Sequence, residues 1–353
     1  MSFLVFFIAL SLMVFVHELG HFLAAKKKGV KVTEFGFGFP PRLFAKKVRE
    51  TTYSINALPM GGFVQIWGMD KKVRKEKHRA FYEQKPKTQF FILSAGVLMN
   101  FFISVIVFSV FYGINGVPKK RGNIEILEVA QNSPAEIAGL TKGMIIEKIE
   151  TDEVTVKTKT AKIFTKTVKK NAGKQLTFVN NEGKMYFAIP RVNPPENEGA
   201  LGVVFTDSII IKPNLFIRIP LGVANGVKEG AYWGLNILEG LFAMIKDIFR
   251  GKAPKDIAGP VGIYKVSEEI MKTSGLAAVI HFFAVVSINL VIVNILPIPG
   301  TDGWHASLVA FEKIRRKKIK EKTKRKLNQI GITILIGLFL LILAADIKRY
   351  LIK

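Results

Sequence analysis

Two histidines four residues apart flank a glutamate near the start of the chain, in the run His17, Glu18, Leu19, Gly20 and His21. Residues four apart share one face of a helix, so both imidazoles can bind a single zinc ion. The glutamate is then free to act as a general base, as in metal-dependent hydrolases. The same pattern also arises by chance or on a solvated helix face, so its surroundings must decide between these interpretations.

An apolar segment at about residues 2–25 contains this motif and is long enough to cross a bilayer. A solvated face does not exist there, and ionisable groups are costly in hydrocarbon, so the motif indicates a functional site inside the membrane. The segment resembles a signal peptide only superficially. No basic residue precedes it, and His17 and Glu18 interrupt its centre, so we expect a retained membrane span.

The composition excludes an ordinary soluble enzyme. Of the 353 residues, 49% are hydrophobic, and 52 Lys and Arg against 27 Asp and Glu give a net charge of +25. Such an excess could indicate nucleic-acid binding, but the basic residues cluster in short loops beside apolar segments, which is the positive-inside pattern. We therefore expect a lipid bilayer, and no nucleic acid, as a partner. Because the chain has no cysteine, a zinc ion would be bound by His and carboxylate side chains.

The predicted fold class is an α-helical polytopic membrane protein with four spans. Beyond the first, spans are predicted at about residues 90–114, 276–299 and 330–346. Residues 26–87 carry sixteen Lys and Arg against five Asp and Glu, and residues 313–326 carry ten basic residues, so both loops are predicted to be cytoplasmic and the N-terminus extracytoplasmic. Gly96 and Asn100, inside the second span, are expected to serve helix packing.

Between the second and third spans, short alternating runs separated by turns predict a small α/β domain at residues 117–198, on the extracytoplasmic side. Residues 199–275 are an expected linker, in which apolar residues at helical spacing from Ile237 to Phe249 predict an amphipathic helix. That helix could lie in the membrane interface or against the bundle, or be an ordinary core helix. Residues 1–116 and 276–353 then form the two parts of the membrane core.

The first cytoplasmic loop contains an apolar run at residues 35–40 and a longer one at residues 53–66. The longer run predicts two short strands around a Pro-Met-Gly-Gly turn that includes Gly61 and Gly62. As a membrane-associated, re-entrant hairpin shielded by helices, it could add a strand to an unwound substrate. Gly61 and Gly62 are then candidate substrate-binding residues. The alternative is a plain cytoplasmic hairpin.

A third metal ligand is expected after the third span, where Pro297 and Pro299 stop the helix and Asp302 follows. The first and third spans both run inward, and at about 1.5 Å per residue His17 lies roughly 20 Å below the outer end of its helix. Asp302 lies at the inner end of its span, past a break that shortens the path. The two histidines and Asp302 can therefore meet near the inner third of the membrane as a catalytic zinc set.

These residues together resemble the site-2 protease family of intramembrane zinc metalloproteases, specifically the bacterial regulator-of-sigma-E protease type with one PDZ domain. Residues 17–21 match its H-E-x-G-H motif, and residues 294–303 resemble its N-x-L-P-x-P-x-L-D-G motif. Residues 259–263 (Gly-Pro-Val-Gly-Ile) resemble another family segment, and residues 138–146 resemble the A-G-L-x-x-G-D-x-I run of PDZ domains. The resemblance covers all four predicted spans.

Four positions depart from the family pattern. Thr301 stands where the family usually has Leu, Trp304 where a second Gly is common, Val97 where Pro often follows Gly96, and Met144 where the PDZ run has Asp. None of them is a ligand. The expected effects concern the packing beside the third ligand and the recognition properties of the PDZ domain.

The resemblance implies hydrolysis of peptide bonds within or next to the transmembrane segments of single-span membrane proteins, such as anti-sigma factors or remnant signal peptides. It implies a multi-pass protein of the bacterial inner membrane, with the PDZ domain outside as a size filter. His17, His21 and Asp302 would bind Zn²⁺, which makes a reactive water available near neutral pH. Glu18 would accept that water's proton and pass it to the leaving amine.

Five further residues are polar candidates. Asn294 is expected, by resemblance, to hold the substrate backbone, with hydrogen bonding between helices as an equal alternative. Asn289 is a second candidate, for which we favour hydrogen bonding between helices. His305 could neighbour the zinc site, but we favour a role at the helix start or an interface. His78 is expected to be solvated and His281 to be interfacial.

Two other function classes compete with the protease. A catalytically silent membrane scaffold could bind protein tails through its PDZ domain, but it would not need Glu18. A metal transporter could use the same ligands, but it should show polar residues along several spans, and the second and fourth offer few.

Overall fold

The computed structural model describes residues 2–350 except 70–72, 74, 196–197 and 251–258. It divides into Met1–Tyr112 with Ile219–Lys353, here called the membrane unit, and Gly113–Arg218, here called the inserted unit. The part of the expected linker at residues 251–258 lies outside the described residues.

In chain order the helices and strands are α1 (Ser2–Lys27), β1 (Val32–Val48), β2 (Thr51–Ile66), α2 (Pro86–Asn115), β3 (Val117–Val129), α3 (Pro134–Ile137), β4 (Ile145–Glu150), β5 (Thr155–Lys157), α4 (Ala161–Lys170), β6 (Leu176–Asn180), β7 (Met185–Ala188), β8 (Val203–Ile211), α5 (Leu215–Phe249), α6 (Pro260–Ile295), α7 (Asp302–Arg315) and α8 (Glu321–Tyr350). Two short 3₁₀ turns, Lys77–Arg79 and Phe81–Glu83, precede α2.

Among the described residues, four helices are long and apolar enough to cross a membrane: α1, α2, α6 and α8. This confirms the four predicted apolar helices, but each helix extends beyond its apolar segment. α2 begins at Pro86, because a proline in the first turn has the required φ and loses no hydrogen bond. α8 begins at Glu321, so its first turns belong to the basic loop.

The third predicted span corresponds to the second part of α6. This helix begins at Pro260 and is broken at Gly275, whose φ of 79° is readily adopted only by glycine. The span was predicted to start at residue 276, and that position follows directly after the break inside the longer helix. The predicted end at residue 299 is corrected to Ile295, because Pro297 and Pro299 cannot continue the helix.

The prediction of a hairpin turning within residues 59–62 is wrong. β1 and β2 are joined at residues 49–50, and their register places four segments side by side in the order 42–48, 51–56, 32–37 and 62–66. Phe37 pairs on one side with Ile55 and on the other with Gly62. The two halves of the predicted hairpin therefore exist as strand segments, but the apolar run that begins at Phe35 lies between them. Segment 62–66 is an edge of this ribbon.

The inserted unit is built on a sheet with strand order β7, β6, β4, β3, β8, and with β5 paired to β4. Its core contains Ile124, Ile146 and Phe178 from the sheet and Phe164 from α4. These elements agree with the predicted mixture of helix and strand. The predicted end at residue 198 is corrected, because β8 pairs with β3 and the unit continues to Arg218.

The helix α5 occupies much of the expected linker. Its residues Trp233 and Ile237 belong to an apolar cluster with Phe108 of α2 and Ile288 of α6. The predicted helical spacing therefore forms a helix against the bundle, which is one of the alternatives that the sequence left open. Phe242, farther along α5, is 68% exposed.

Candidate metal centre

The helix α1 carries His17 and His21 on one face, as their spacing predicts, and both side chains are buried. Their Nε2 atoms lie 3.2 Å apart. The Oδ2 atom of Asp302, in the first turn of α7, lies 2.9 Å from Nε2 of His17 and 3.0 Å from Nε2 of His21. The structure thus brings together the three side chains that the sequence nominated as ligands, and they form a potential metal site.

The tautomer of His21 indicates that this cluster suits a cation. Its Nδ1 lies 2.8 Å from the carbonyl oxygen of Ile92, which can only accept, so Nδ1 carries the proton and donates it. A neutral His21 then directs the lone pair of Nε2 toward Asp302. Two acceptors 3.0 Å apart repel each other unless a proton or a metal cation lies between them. Two imidazoles and one carboxylate are also a known donor set of catalytic zinc sites.

Two glycines allow α1 and α2 to approach closely at this cluster. A Cβ atom at Gly20 would overlap the carbonyl group of Ala95, and a Cβ atom at Gly96 would overlap the imidazole of His21. Gly20 therefore has a packing reason to stand inside the histidine motif. Gly96 was expected to serve helix packing. It does pack closely, and the side chain against it is that of His21, a potential metal ligand.

The turn between α6 and α7 positions Asp302. Thr301 caps α7, because its Oγ1 accepts a hydrogen bond from the backbone N–H of Trp304 at 3.3 Å. The same hydroxyl lies 2.8 Å from the carbonyl oxygen of Leu296 and 2.9 Å from that of Ile298, so it can donate across the turn. A leucine at position 301 would provide none of these bonds. The departure at Thr301 therefore adds contacts beside Asp302.

The departure at Trp304 also forms a specific contact. Its indole Nε1 donates a hydrogen bond to Oδ1 of Asn328 on α8, at 2.5 Å. Gly303, between Asp302 and Trp304, packs so tightly that a Cβ atom would overlap the carbonyl groups of Ile295 and Leu296. The first turn of α7 is thus held on one side by the end of α6 and on the other by α8.

Glu18 lies outside the three-ligand cluster, as expected for a base. It is half-buried, and its Oε2 accepts a hydrogen bond from the backbone N–H of Val64 at 3.1 Å. Val64 lies in the edge segment 62–66 of the ribbon. The carboxylate is therefore oriented by the backbone of β2.

The strand β2 follows α1 along its length toward this bond. The hydroxyl of Ser11 donates a hydrogen bond to the carbonyl oxygen of Pro59. At Gly61, φ is 74° and a Cβ atom would lie 2.8 Å from a methyl carbon of Val14; at Gly62 a Cβ atom would lie 2.8 Å from a backbone oxygen of the neighbouring segment. Gly61 and Gly62 therefore serve this close approach, beside any contact with substrate.

The other candidate polar residues differ in their exposure. Asn294 is half-buried and Asn289 is exposed. His305, in the first turn of α7, shares a hydrogen bond of 3.1 Å with the hydroxyl of Tyr82, which agrees with the favoured role at the helix start or an interface. His78 is exposed, as expected.

His281, which was expected to be interfacial, contacts α5. Its Nε2 lies 2.9 Å from a carboxylate oxygen of Glu229, and its ring contacts Phe108 and Phe111. This pair links α6 to α5 within the membrane unit.

Comparison with known proteins assigns the chain to a family. The sequence profile of Peptidase family M50 matches residues 5–338. The chain belongs to peptidase family M50. A protein of Clostridium acetobutylicum, named as an inferred zinc metalloprotease, is 30% identical over 96% of this chain and 95% of its own length. A protein of Fusobacterium nucleatum with the same type of name is 31% identical over 99% of both chains, and the regulator of sigma-W protease RasP of Bacillus subtilis is 26% identical over 98% of this chain and 97% of its own.

Membership in M50 identifies the protein as a zinc metalloprotease, so the resemblance to site-2 proteases at the family level is confirmed. The side chains of the cluster could be nominated from their types and spacing. The backbone groups that orient them, the Ile92 carbonyl and the Val64 N–H, could not, because any residue type supplies such groups. In the sequence, only the small residues Gly20 and Gly96 indicate that α1 and α2 pack closely here.

Proposed function

We propose that this M50 protease hydrolyses peptide bonds within or next to the transmembrane segments of membrane proteins, with His17, His21 and Asp302 as its zinc ligands and Glu18 as its general base. The observation that carries the proposal is the convergence of three donor atoms from two helices, with separations of 2.9 to 3.2 Å, next to a span of membrane length. When bound, zinc supplies Lewis acidity at this position.

The side chains around the proposed metal position have distinct roles. His21 is held by the Ile92 carbonyl, so its Nε2 is fixed as a lone-pair donor. Glu18, held at one oxygen by the Val64 N–H, takes a proton from the attacking water and passes it to the leaving amine. The burial of both histidines excludes bulk water from the ligands, which strengthens the electrostatic interactions at the site.

A substrate helix must unwind before its carbonyl groups can react, because its backbone groups are otherwise satisfied within the helix. We propose that the ribbon binds the unwound segment as an added strand, and that Gly61 and Gly62 allow the chains to approach. The support is the position of the edge segment 62–66, whose Val64 N–H binds Glu18 directly. Asn294, half-buried near the end of α6, stays a candidate for the substrate backbone, and Asn289 a less favoured one.

The expected substrates are single-span membrane proteins, and the expected location is the bacterial inner membrane with a cytoplasmic basic loop. The anti-sigma class of substrate is suggested by RasP, which is named as a regulator of sigma-W. The inserted unit is proposed to be one extracytoplasmic PDZ domain that limits access by size. Its support is the A-G-L-x-x-G run, in which Gly139 and Gly143 adopt φ values of 81° and 85°.

The deciding experiment uses the purified full chain in detergent and a model transmembrane substrate. Glu18→Gln should abolish cleavage while zinc content is retained, and Asp302→Ala should lose both. Glu128→Gln, which removes an exposed carboxylate on β3, is the matched control and should cleave normally. Cleavage by Glu18→Gln at the wild-type rate would exclude Glu18 as the base, and full zinc content in Asp302→Ala would exclude Asp302 as a ligand.

A further inference from the structure

A cavity of about 510 Å³ lies in the membrane unit where α8 begins. Its walls come from the segment around the 3₁₀ turns, from the connection between α7 and α8, and from the first turns of α8 itself. The charged residues among its lining are Lys318, Lys320, Lys324, Arg325 and Glu83. Among the lining residues that the structure describes, four cations stand against one carboxylate, which favours an anionic ligand.

Part of this basic lining is held in place by the protein itself. Lys324, only 14% exposed, lies 2.6 Å from a carboxylate oxygen of Glu312 and 4.4 Å from the ring centre of Tyr82. Glu312 also accepts a hydrogen bond of 2.7 Å from the backbone N–H of Ile319, which fixes the connection between α7 and α8. The wall is therefore a built structure and not a set of free lysines.

Two of the cations, Lys320 and Arg325, are available to a ligand. Lys318, in contrast, lies 3.4 Å from a carboxylate oxygen of Glu83. Lys320 and Arg325 form no ion pair with any residue that the structure describes, although both line the cavity. Arginine and lysine are the side chains that bind phosphate most effectively, and here both line one cavity.

The cavity also has an apolar side. Met69, Val73, Ile319 and Ile332 line it, and Ile332 belongs to the part of α8 that is apolar enough to cross the membrane. A ligand here can place a charged group against Lys320 and Arg325 while an apolar chain follows α8. Basic pockets at the ends of membrane helices bind the headgroups of anionic lipids by this combination.

The same walls contact the first turn of α7, which carries Asp302. Tyr82 is hydrogen-bonded to His305 at 3.1 Å, and Asn328, which also lines the cavity, accepts the hydrogen bond of Trp304 at 2.5 Å. A ligand that fixes Tyr82 and Asn328 therefore also restrains the helix that begins at Asp302.

We propose that this cavity binds the phosphate headgroup of an anionic phospholipid, with Lys320 and Arg325 as the phosphate contacts and α8 as the surface for an acyl chain. The bound lipid braces α7 through Tyr82 and Asn328. The site is separate from the metal cluster, so its occupancy is measurable whether or not the protein cleaves a substrate.

The test measures lipid retained by the full chain, using native mass spectrometry after exchange into defined detergent with phosphatidylglycerol or phosphatidylcholine. Wild type should retain one phosphatidylglycerol and prefer it to phosphatidylcholine by about tenfold or more, given the usual electrostatic contribution of basic residues near a membrane surface. Lys320→Gln with Arg325→Gln should lose this preference. Gln329→Trp, which keeps every charge but fills the cavity that Gln329 lines, should also lose it.

The matched control is Lys322→Gln with Lys326→Gln, which removes the same charge from exposed neighbours that do not line the cavity. This control should retain the lipid. Equal loss in both double variants would overturn the proposal in favour of general surface attraction, as would retention by Gln329→Trp. A third arm adds glycerol 3-phosphate or inorganic phosphate; displacement of the lipid by either at equal concentration would show that the site binds soluble phosphate, and would overturn the assignment to a lipid.

Discussion

Gly96 on α2 lies directly against the imidazole of His21 on α1, with no room for a Cβ atom between them. The ring is also held at Nδ1 by its hydrogen bond to the Ile92 carbonyl, one turn earlier on α2. A single helix therefore fixes both the position and the tautomer of one proposed ligand.

Replacing Gly96 with Ala should displace this ring and weaken zinc binding about 10- to 100-fold, as loss of supporting contacts around metal ligands does. Zinc content after dialysis against a graded chelator measures the effect. Gly113→Ala is the matched control, because it lies on the same helix with open space around its Cα. Wild-type zinc affinity in Gly96→Ala would show that the ring can move without losing the metal.

Thr301→Val should destabilise the first turn of α7 by about 1 kcal/mol, because the new side chain cannot cap the N–H of Trp304. Thermal unfolding in detergent measures the loss, and cleavage should fall with it because Asp302 is the next residue. Thr301→Ser keeps the hydroxyl and should restore both. Identical behaviour of the valine and serine variants would rule out the capping role.

Val64→Pro should lower the turnover rate by about tenfold or more while leaving zinc content unchanged, since it removes the N–H that orients Glu18. Val64→Ala keeps the N–H and is the control for the lost side chain. The pH dependence of cleavage separates positioning from simple loss of fold, because a misoriented base changes the shape of the profile. A proline variant with the wild-type profile and rate would exclude the bond.

The ion pairs of Glu50, away from the active site, should make a pH-dependent contribution to the free energy of unfolding. Its carboxylate lies 2.9 Å from the Lys26 ammonium and 2.6 Å from the Arg79 guanidinium, and these bonds, first the one from Arg79, lower its pKa from 4.5 to about 2. Because the folded-state pKa is depressed, the stabilisation is complete above about pH 4.5 and is lost as the pH falls toward 2.

The matching variant is Glu50→Gln, which should lower stability at pH 7 by at most about 1 kcal/mol, the usual value for a partly exposed ion pair. Thermal unfolding from pH 7 to pH 3 should show the wild type approaching the variant as the pH falls. A difference that is constant across this range would show that the ion pairs do not titrate with folding.

Side-chain chemistry explains which parts of the site could be predicted from the sequence. His17, His21 and Asp302 are rare groups in apolar surroundings, so their types and depth were enough to bring them together. The ribbon was mispredicted because a glycine pair after proline is a strong turn signal, whereas here Gly61 and Gly62 let a continuous strand pass close to α1. The strand β8 was missed because it lies in the expected linker at residues 199–275. Its Asp207 is paired with Lys120 of β3, the strand to which β8 is hydrogen-bonded.

The fourth span carries none of the proposed ligands, yet it fastens the helices around them at both ends. Near one end Asn328 binds Trp304 and Gly331 packs against Pro299; near the other the buried Asp346 accepts the N–H of Gly262, in the Gly-Pro-Val-Gly run that opens α6. A truncated chain that kept every motif residue but ended before α8 would lose the contacts at both ends. The shortest active form of this enzyme must therefore include α8, although α8 contains none of the motif residues.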